Sequence, residues 1–202
     1  MTNPFILFSF LICIGFSLVS EISYPMVCSY SAESDIDDSI IPWEASCLKW
    51  TDFKNTPPLN QKLIVASTYS GIKWSGKAYN DDTIQFNIVS NFYQKKSWTR
   101  TRDSLTLLHE QKHFDITELF ARKVRKYILN SILISKEILK VYGKIQSIVK
   151  LEQNYQKLYD KETNHGNNTR KQLEWNIKIG NELVELDEYK DTLILRPIIR
   201  IY

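Results

Sequence analysis

A chain of 202 residues with 43% hydrophobic and 12% aromatic side chains carries enough apolar surface for one folded domain, which excludes an intrinsically disordered protein. The formal net charge of +3 is small for this length. The Lys and Arg residues gathered between residues 99 and 150 lack an interleaved aromatic pattern, so they are expected to coat a solvated helix face rather than bind nucleic acid.

Residues 1–20, MTNPFILFSFLICIGFSLVS, hold no charged side chain and run almost unbroken in apolar residues from Phe5 to Val19. This length is short for a membrane span and suits a signal peptide, with Ser20 at the cleavage point. The stretch lacks the usual Lys or Arg near its start, so an uncleaved N-terminal anchor is the alternative. Cys13 follows Phe10, Leu11 and Ile12, a poor context for lipidation. Export predicts a secreted or periplasmic protein in an oxidising compartment, where Cys28 and Cys47 are expected to form a disulfide. Two separate buried thiols are the alternative. Residues 21–42 mix Ser, Asp and Glu with few apolar positions and read as a linker or loosely attached arm, leaving residues 43–202 as the domain.

From Leu48 to Trp98 the chain is β-like. Pro57 and Pro58 exclude regular structure between Asp52 and Asn60. Leu63, Ile64 and Val65 form a short apolar run, Ser70-Gly71 reads as a turn, and Asn80-Asp81-Asp82 as a second turn. After it Ile84, Phe86 and Ile88 alternate with Thr83, Gln85 and Asn87, the period of a half-buried strand. Trp74, Phe92 and Trp98 either line a substrate groove or fill the core between sheet and helix; the second is the expectation.

Asp103 or Ser104 can cap a helix on which Leu105, Leu108, Ile116, Leu119, Phe120 and Val124 fall on one arc, with His109 and His113 inside it. Glu118 lies nearly opposite His109, because nine residues turn a helix through about 180° beyond whole turns. Residues 131–162 keep a four-three apolar spacing through Ile134, Ile138, Val141, Ile145, Ile148, Tyr155 and Tyr159, interrupted at Glu152, and predict a long amphipathic helix bent near Gly143. An Asn- and Gly-rich break at 163–169 precedes a shorter helix, Arg170 to Ile179, ended by Gly180-Asn181. The apolar tail from Thr192 to Tyr202 suggests a final strand. The class is therefore α+β, an antiparallel β region followed by three helices.

His109, Glu110 and His113 form a His-Glu-x-x-His pattern. Four residues apart on a helix, two imidazoles can reach one zinc ion while the glutamate beside the first ring addresses a metal-coordinated water. Two core histidines satisfied by hydrogen bonds are the plain alternative, weakened because the chain has only three histidines and two fall in the motif. A catalytic zinc needs a third protein ligand and one open position. His165, in the loop after the long helix, is the expected ligand, with Glu162 and Asp160 as rivals. Glu110 is expected to act as general base on the attacking water and to pass its proton to the leaving amine. Tyr159 is the candidate donor to the oxyanion, against the simpler role of a packed aromatic. Asp115 and Glu118 could orient a ligand ring, although surface or capping roles are the stronger expectation.

The stretch LLHEQKHFDITELFARKVR, the upstream WTDFKNTPP from Trp50 to Pro58 and the downstream YDKETNHGNNTRKQLEWNIKI from Tyr159 to Ile179 resemble a bacterial family first catalogued as a domain of unknown function and described as secreted zinc-dependent proteases. The resemblance spans roughly Trp43 to Gly180. It implies an exported zincin-like metallopeptidase with His109, Glu110 and His113 in their usual roles, and it draws attention to the Thr163-x-His165-Gly166 block. The implied substrate is a peptide or protein, with association to the cell envelope open. Two rivals remain at this point: a non-catalytic, zinc-stabilised envelope module, and a zinc hydrolase acting on a non-protein amide.

Overall fold

A computed structural model describes residues 28–29, 39–43, 47–60 and 64–201. The expected signal peptide, Cys13 and most of the 21–42 arm lie outside the described residues. In chain order the elements are β1 (Cys28–Ser29), β2 (Ile40–Pro42), a 3-10 turn at Trp50–Asp52, β3 (Ala66–Ser67), β4 (Ser70–Asn80), β5 (Thr83–Tyr93), β6 (Trp98–Thr99), α1 (Ser104–Asn130), α2 (Ile138–Thr163), α3 (Thr169–Glu185) and β7 (Leu193–Pro197). The protein is thus mixed α and β, with antiparallel sheets and three helices.

The β4–β5 hairpin is the frame of the sheet, with Asn80 Oδ1 accepting from the Asp82 amide at 3.1 Å in the turn that the sequence marks there. One edge of β5 carries β4, and two short strands share the other: β2 pairs with Asn91–Tyr93 and β7 with Thr83–Asn87, all antiparallel. Ile84, Phe86 and Ile88 are buried, as their alternation requires. Ser70 and Gly71 are the first residues of β4 rather than a turn. They pair with Phe92 and Asn91, and Ser70 Oγ shares a 2.7 Å hydrogen bond with Thr117 Oγ1, so tertiary pairing overrides the local turn signal. Of the apolar run at 63–65, Ile64 and Val65 lie outside regular structure; the strand begins at Ala66. β3 and β6 form a separate two-stranded ribbon.

Asp103 caps α1 by accepting from the Thr106 amide at 2.7 Å. α1 packs on β4 and β5 and also on α2 and α3, so its middle, from Phe114 to Arg122, is buried all round rather than along one arc. Glu118, expected at the surface, is buried: its Oε1 accepts from Arg122 Nε and Arg125 Nη1, each at 2.9 Å, and Oε2 accepts from Ser90 Oγ. Arg125, wholly buried, also donates to the carbonyls of Ile88, Tyr189 and Lys190. Asp115 is buried too, accepting from Trp43 Nε1 at 3.0 Å, so neither carboxylate has the surface role expected of it. The start of the helix is less covered: Leu105 is 64% exposed and Leu108 39%.

α2 starts at Ile138 rather than Ser131, because Ile134 is drawn into a bridge with Ile199. α3 runs past Gly180 to Glu185. Leu183 and Leu186 pack on the cluster of Ile116, Leu119, Phe120, Tyr159, Trp175 and Ile179, which outweighs the roughly 1 kcal/mol that glycine costs a helix interior. Phe92 and Trp98 are buried, and Trp74 packs against Tyr142 at 5.3 Å between ring centres, so the three aromatics serve the core as expected.

Cys47 is an exposed free thiol, which corrects the expected Cys28–Cys47 disulfide. β1 holds Cys28 opposite Gly76, whereas Leu48, next to Cys47, packs on Phe92, opposite Ser70. Six residues of strand separate those positions, about 20 Å, against the roughly 6 Å between α-carbons that a disulfide spans.

Candidate metal centre

α1 presents His109 and His113 one turn apart, and both rings meet α2 rather than the sheet. His109 Nε2 and His113 Nε2 are 3.2 Å apart, and Asp160 Oδ1 lies 3.2 Å from the first and 3.1 Å from the second. Four-coordinate zinc holds its ligands at about 2.0–2.1 Å, which sets neighbouring donors about 3.3 Å apart. These three atoms therefore form one face of a zinc-sized tetrahedron, and they are the group of potential metal-binding side chains that the described residues bring together.

The outer nitrogen of each ring is held by an amide. Gln172 Oε1 lies 2.9 Å from His109 Nδ1, and Gln156 Oε1 lies 2.6 Å from His113 Nδ1. An amide oxygen only accepts, so each Nδ1 carries a proton, and with a cation among the inner atoms in place of a second proton each Nε2 would turn a lone pair inward. Two imidazole lone pairs and a carboxylate oxygen facing one another repel unless a cation stands among them. His113 shows the same demand in protonic form. Burial disfavours its charged form, yet the hydrogen bond to Asp160 and the negative charges of Glu110 and Asp160 lift it to about 9. Asp160 is held well below the usual carboxylate range: burial raises it, but hydrogen bonds and charge from His109 and His113 prevail.

Glu110 is buried, and its Oε2 has no hydrogen-bond partner among the described residues. A buried carboxylate oxygen without a donor is costly. The negative charge of Glu110 acts on His113, one turn along the same helix. Thr68 Oγ1, just after β3, donates to the Glu110 carbonyl at 3.2 Å and ties the ribbon to this turn of α1.

His165 does not join the ligand group. Its side chain is 61% exposed, and its Nδ1 lies 3.3 Å from Asp160 Oδ1, so it stands at the outer side of the same carboxylate. Asp160, one of its two rivals in the sequence, is the residue that the structure groups with His109 and His113. Glu162, the other rival, turns away and accepts from Trp175 Nε1 at 2.9 Å. Tyr159 is not placed as an oxyanion donor: it is wholly buried, and its hydroxyl donates to the His109 carbonyl at 3.2 Å while accepting from Gln172 Nε2 at 2.7 Å. Burial, together with the charges of Glu110, Asp160 and Asp115, pushes the phenol up past the hydrogen bond from Gln172 that lowers it, so it stays protonated. Its ring stacks on His109 at 4.7 Å and 18°, the role of a platform.

Gln156 and Gln172 are the residues of the centre that the motif alone does not reveal. The available signal is the polar break at Glu152 in the apolar stripe of α2, followed at four-residue steps by Gln156 and Asp160. Comparison with family models, curated proteins and solved structures finds no match to this chain.

Proposed function

We propose that this protein is an exported, zincin-like zinc hydrolase that cleaves peptide bonds, with His109, His113 and Asp160 as metal ligands and Glu110 as general base. The observation that carries the reading is the three-atom face of His109 Nε2, His113 Nε2 and Asp160 Oδ1, with the orphaned buried carboxylate of Glu110 next to His109 in the chain and acting by its charge on His113. Zinc bound there supplies a Lewis acid and brings the pKa of a coordinated water toward neutrality. Glu110 takes the proton from the attacking water and returns it to the leaving amine.

The setting supports an open catalytic site over a closed structural one, because the ligand group among the described residues stops at three and its Asp160 edge is a third exposed. Leu105, one turn before His109 on the same helical face, and Leu108 are exposed apolar residues at the start of the motif helix, which suits the side chains of a peptide. The apolar run from Phe5 to Val19 supports export to the periplasm or beyond.

Metal analysis of the purified, metal-depleted chain after addition of zinc tests the reading. One zinc per chain is expected, with cleavage of unfolded casein abolished in Glu110→Gln while its zinc is retained. A chain that holds no zinc, or a Glu110→Gln variant as active as the parent, overturns it.

A further inference from the structure

Each ligand imidazole is held by an amide whose own direction is set by a second polar residue one helical turn away. On α2, Glu152 Oε1 accepts from Gln156 Nε2 at 2.8 Å, and the same nitrogen donates to the His113 carbonyl at 2.8 Å. Glu152 is anchored in turn by Thr117 Oγ1 at 3.2 Å. On α3, Asn176 Oδ1 accepts from Gln172 Nε2 at 2.8 Å, and that nitrogen also donates to the Tyr159 hydroxyl at 2.7 Å. With both amide nitrogens fixed on acceptors, each Oε1 has one direction left to it, toward a histidine Nδ1. The two arms come from different helices and share the same build: an anchor and a glutamine four residues apart.

From this geometry we infer that Gln156 and Gln172, anchored by Glu152 and Asn176, are positioning residues that select the Nδ1–H tautomer of His113 and His109 and so present both Nε2 atoms to the metal; the inference rests on the proposed zinc site. It explains the polar break in α2, since an apolar residue at 152 would remove one of the acceptors that hold the Gln156 nitrogen away from His113 Nδ1 and leave the His113 carbonyl as its main anchor. Neutral amides in this place also differ from a carboxylate. They put no negative charge directly against either Nδ1, the Glu152 carboxylate standing one residue further back behind Gln156, so the ligand set itself carries one formal charge, that of Asp160, and a bound dication keeps a net positive charge with its ligands.

Zinc titration against a competing chelator tests the inference on the full chain. Gln172→Leu and Gln156→Leu are expected to weaken zinc binding by about 10–100-fold each. Gln172→Glu, which can still accept from Nδ1, is expected to restore most of the loss. Nitrogen-15 NMR of zinc-loaded wild type, with labelled histidine, is expected to show Nε2 coordination and a protonated Nδ1 on both rings. That measurement stands even where a leucine variant does not fold. Zinc bound through Nδ1, or folded leucine variants with wild-type affinity, overturns the inference and leaves the site intact. Absence of zinc from the wild type overturns the site itself and this inference with it.

Discussion

Gly166 rests against the ring of His109: a β-carbon at this position would meet His109 Cβ and Cγ at 3.2 Å, and the glycine has φ of +81°. Asn164 and His165 before it also lie in the left-handed region, with φ of 50° and 52°. The tight loop is held by Asn168 N on the Thr163 carbonyl at 2.8 Å and His165 N on the Asp160 carbonyl at 2.9 Å. Gly166→Ala therefore combines an unfavourable backbone conformation, about 1 kcal/mol, with pressure on a ligand ring. The expected outcome is a loss of about 1–2 kcal/mol in denaturant unfolding together with weaker zinc binding. An alanine variant with wild-type zinc affinity would show that the wedge has no part in placing His109.

Tyr159→Phe separates a platform from a catalyst. The ring that stacks on His109 survives, while the hydroxyl's bonds to the His109 carbonyl and Gln172 are lost. Leaving those buried partners without the hydroxyl is expected to cost about 1–3 kcal/mol of stability. The proposed peptidase activity at saturating zinc is expected to stay within about tenfold of wild type, whereas removal of an oxyanion donor costs about 100–1000-fold in kcat. Parallel urea melts and turnover measurements on the variant make the distinction.

Much of this arrangement is legible in the residues alone. The β5 alternation, the Asn80–Asp82 turn, the Asp103 cap and the final strand all rest on local pattern, and the structure follows them. The histidine pair is legible for the same reason, since four-residue spacing on a helix is a local fact. The third member of the ligand group is not. Asp160 lies in the last turn of α2 and His165 in the loop just past it, and only the seating of α2 on α1 decides which of them faces the rings. The buried charges are hidden too. Glu118, Arg122 and Arg125 read as a solvated face, because nothing in α1 announces that β5 and the 187–190 turn close over it.

That buried cluster gives a stability prediction remote from the proposed chemistry. Among the described residues Glu118 is the carboxylate that pairs with Arg125, which has no exposure, and it shares Arg122 with the more exposed Asp187. Glu118→Ala leaves the guanidinium of Arg125 with carbonyl acceptors alone, and removal of one partner from a buried ion pair costs about 3–5 kcal/mol. A fall of that size is expected in the unfolding free energy measured with urea. A change below about 1 kcal/mol, the scale of an exposed ion pair, would mean that the carbonyls of Ile88, Tyr189 and Lys190 suffice for Arg125.

Asp160 and His165 can be told apart by metal content, because the two residues meet each other but relate differently to the rings. Asp160 Oδ1 stands within 3.2 Å of both Nε2 atoms, while His165 reaches only the carboxylate, from the solvent side. Asp160→Ala removes the one anionic member of the ligand set, and its effect should exceed the roughly 10–100-fold that loss of an outer-shell partner costs. Near-complete loss of zinc after gel filtration is therefore expected, with the fold retained by circular dichroism. His165→Ala is expected to hold one zinc per chain. The reverse pattern, zinc lost with His165 and kept without Asp160, would show that the loop closes onto the metal and that Asp160 only orients the histidines.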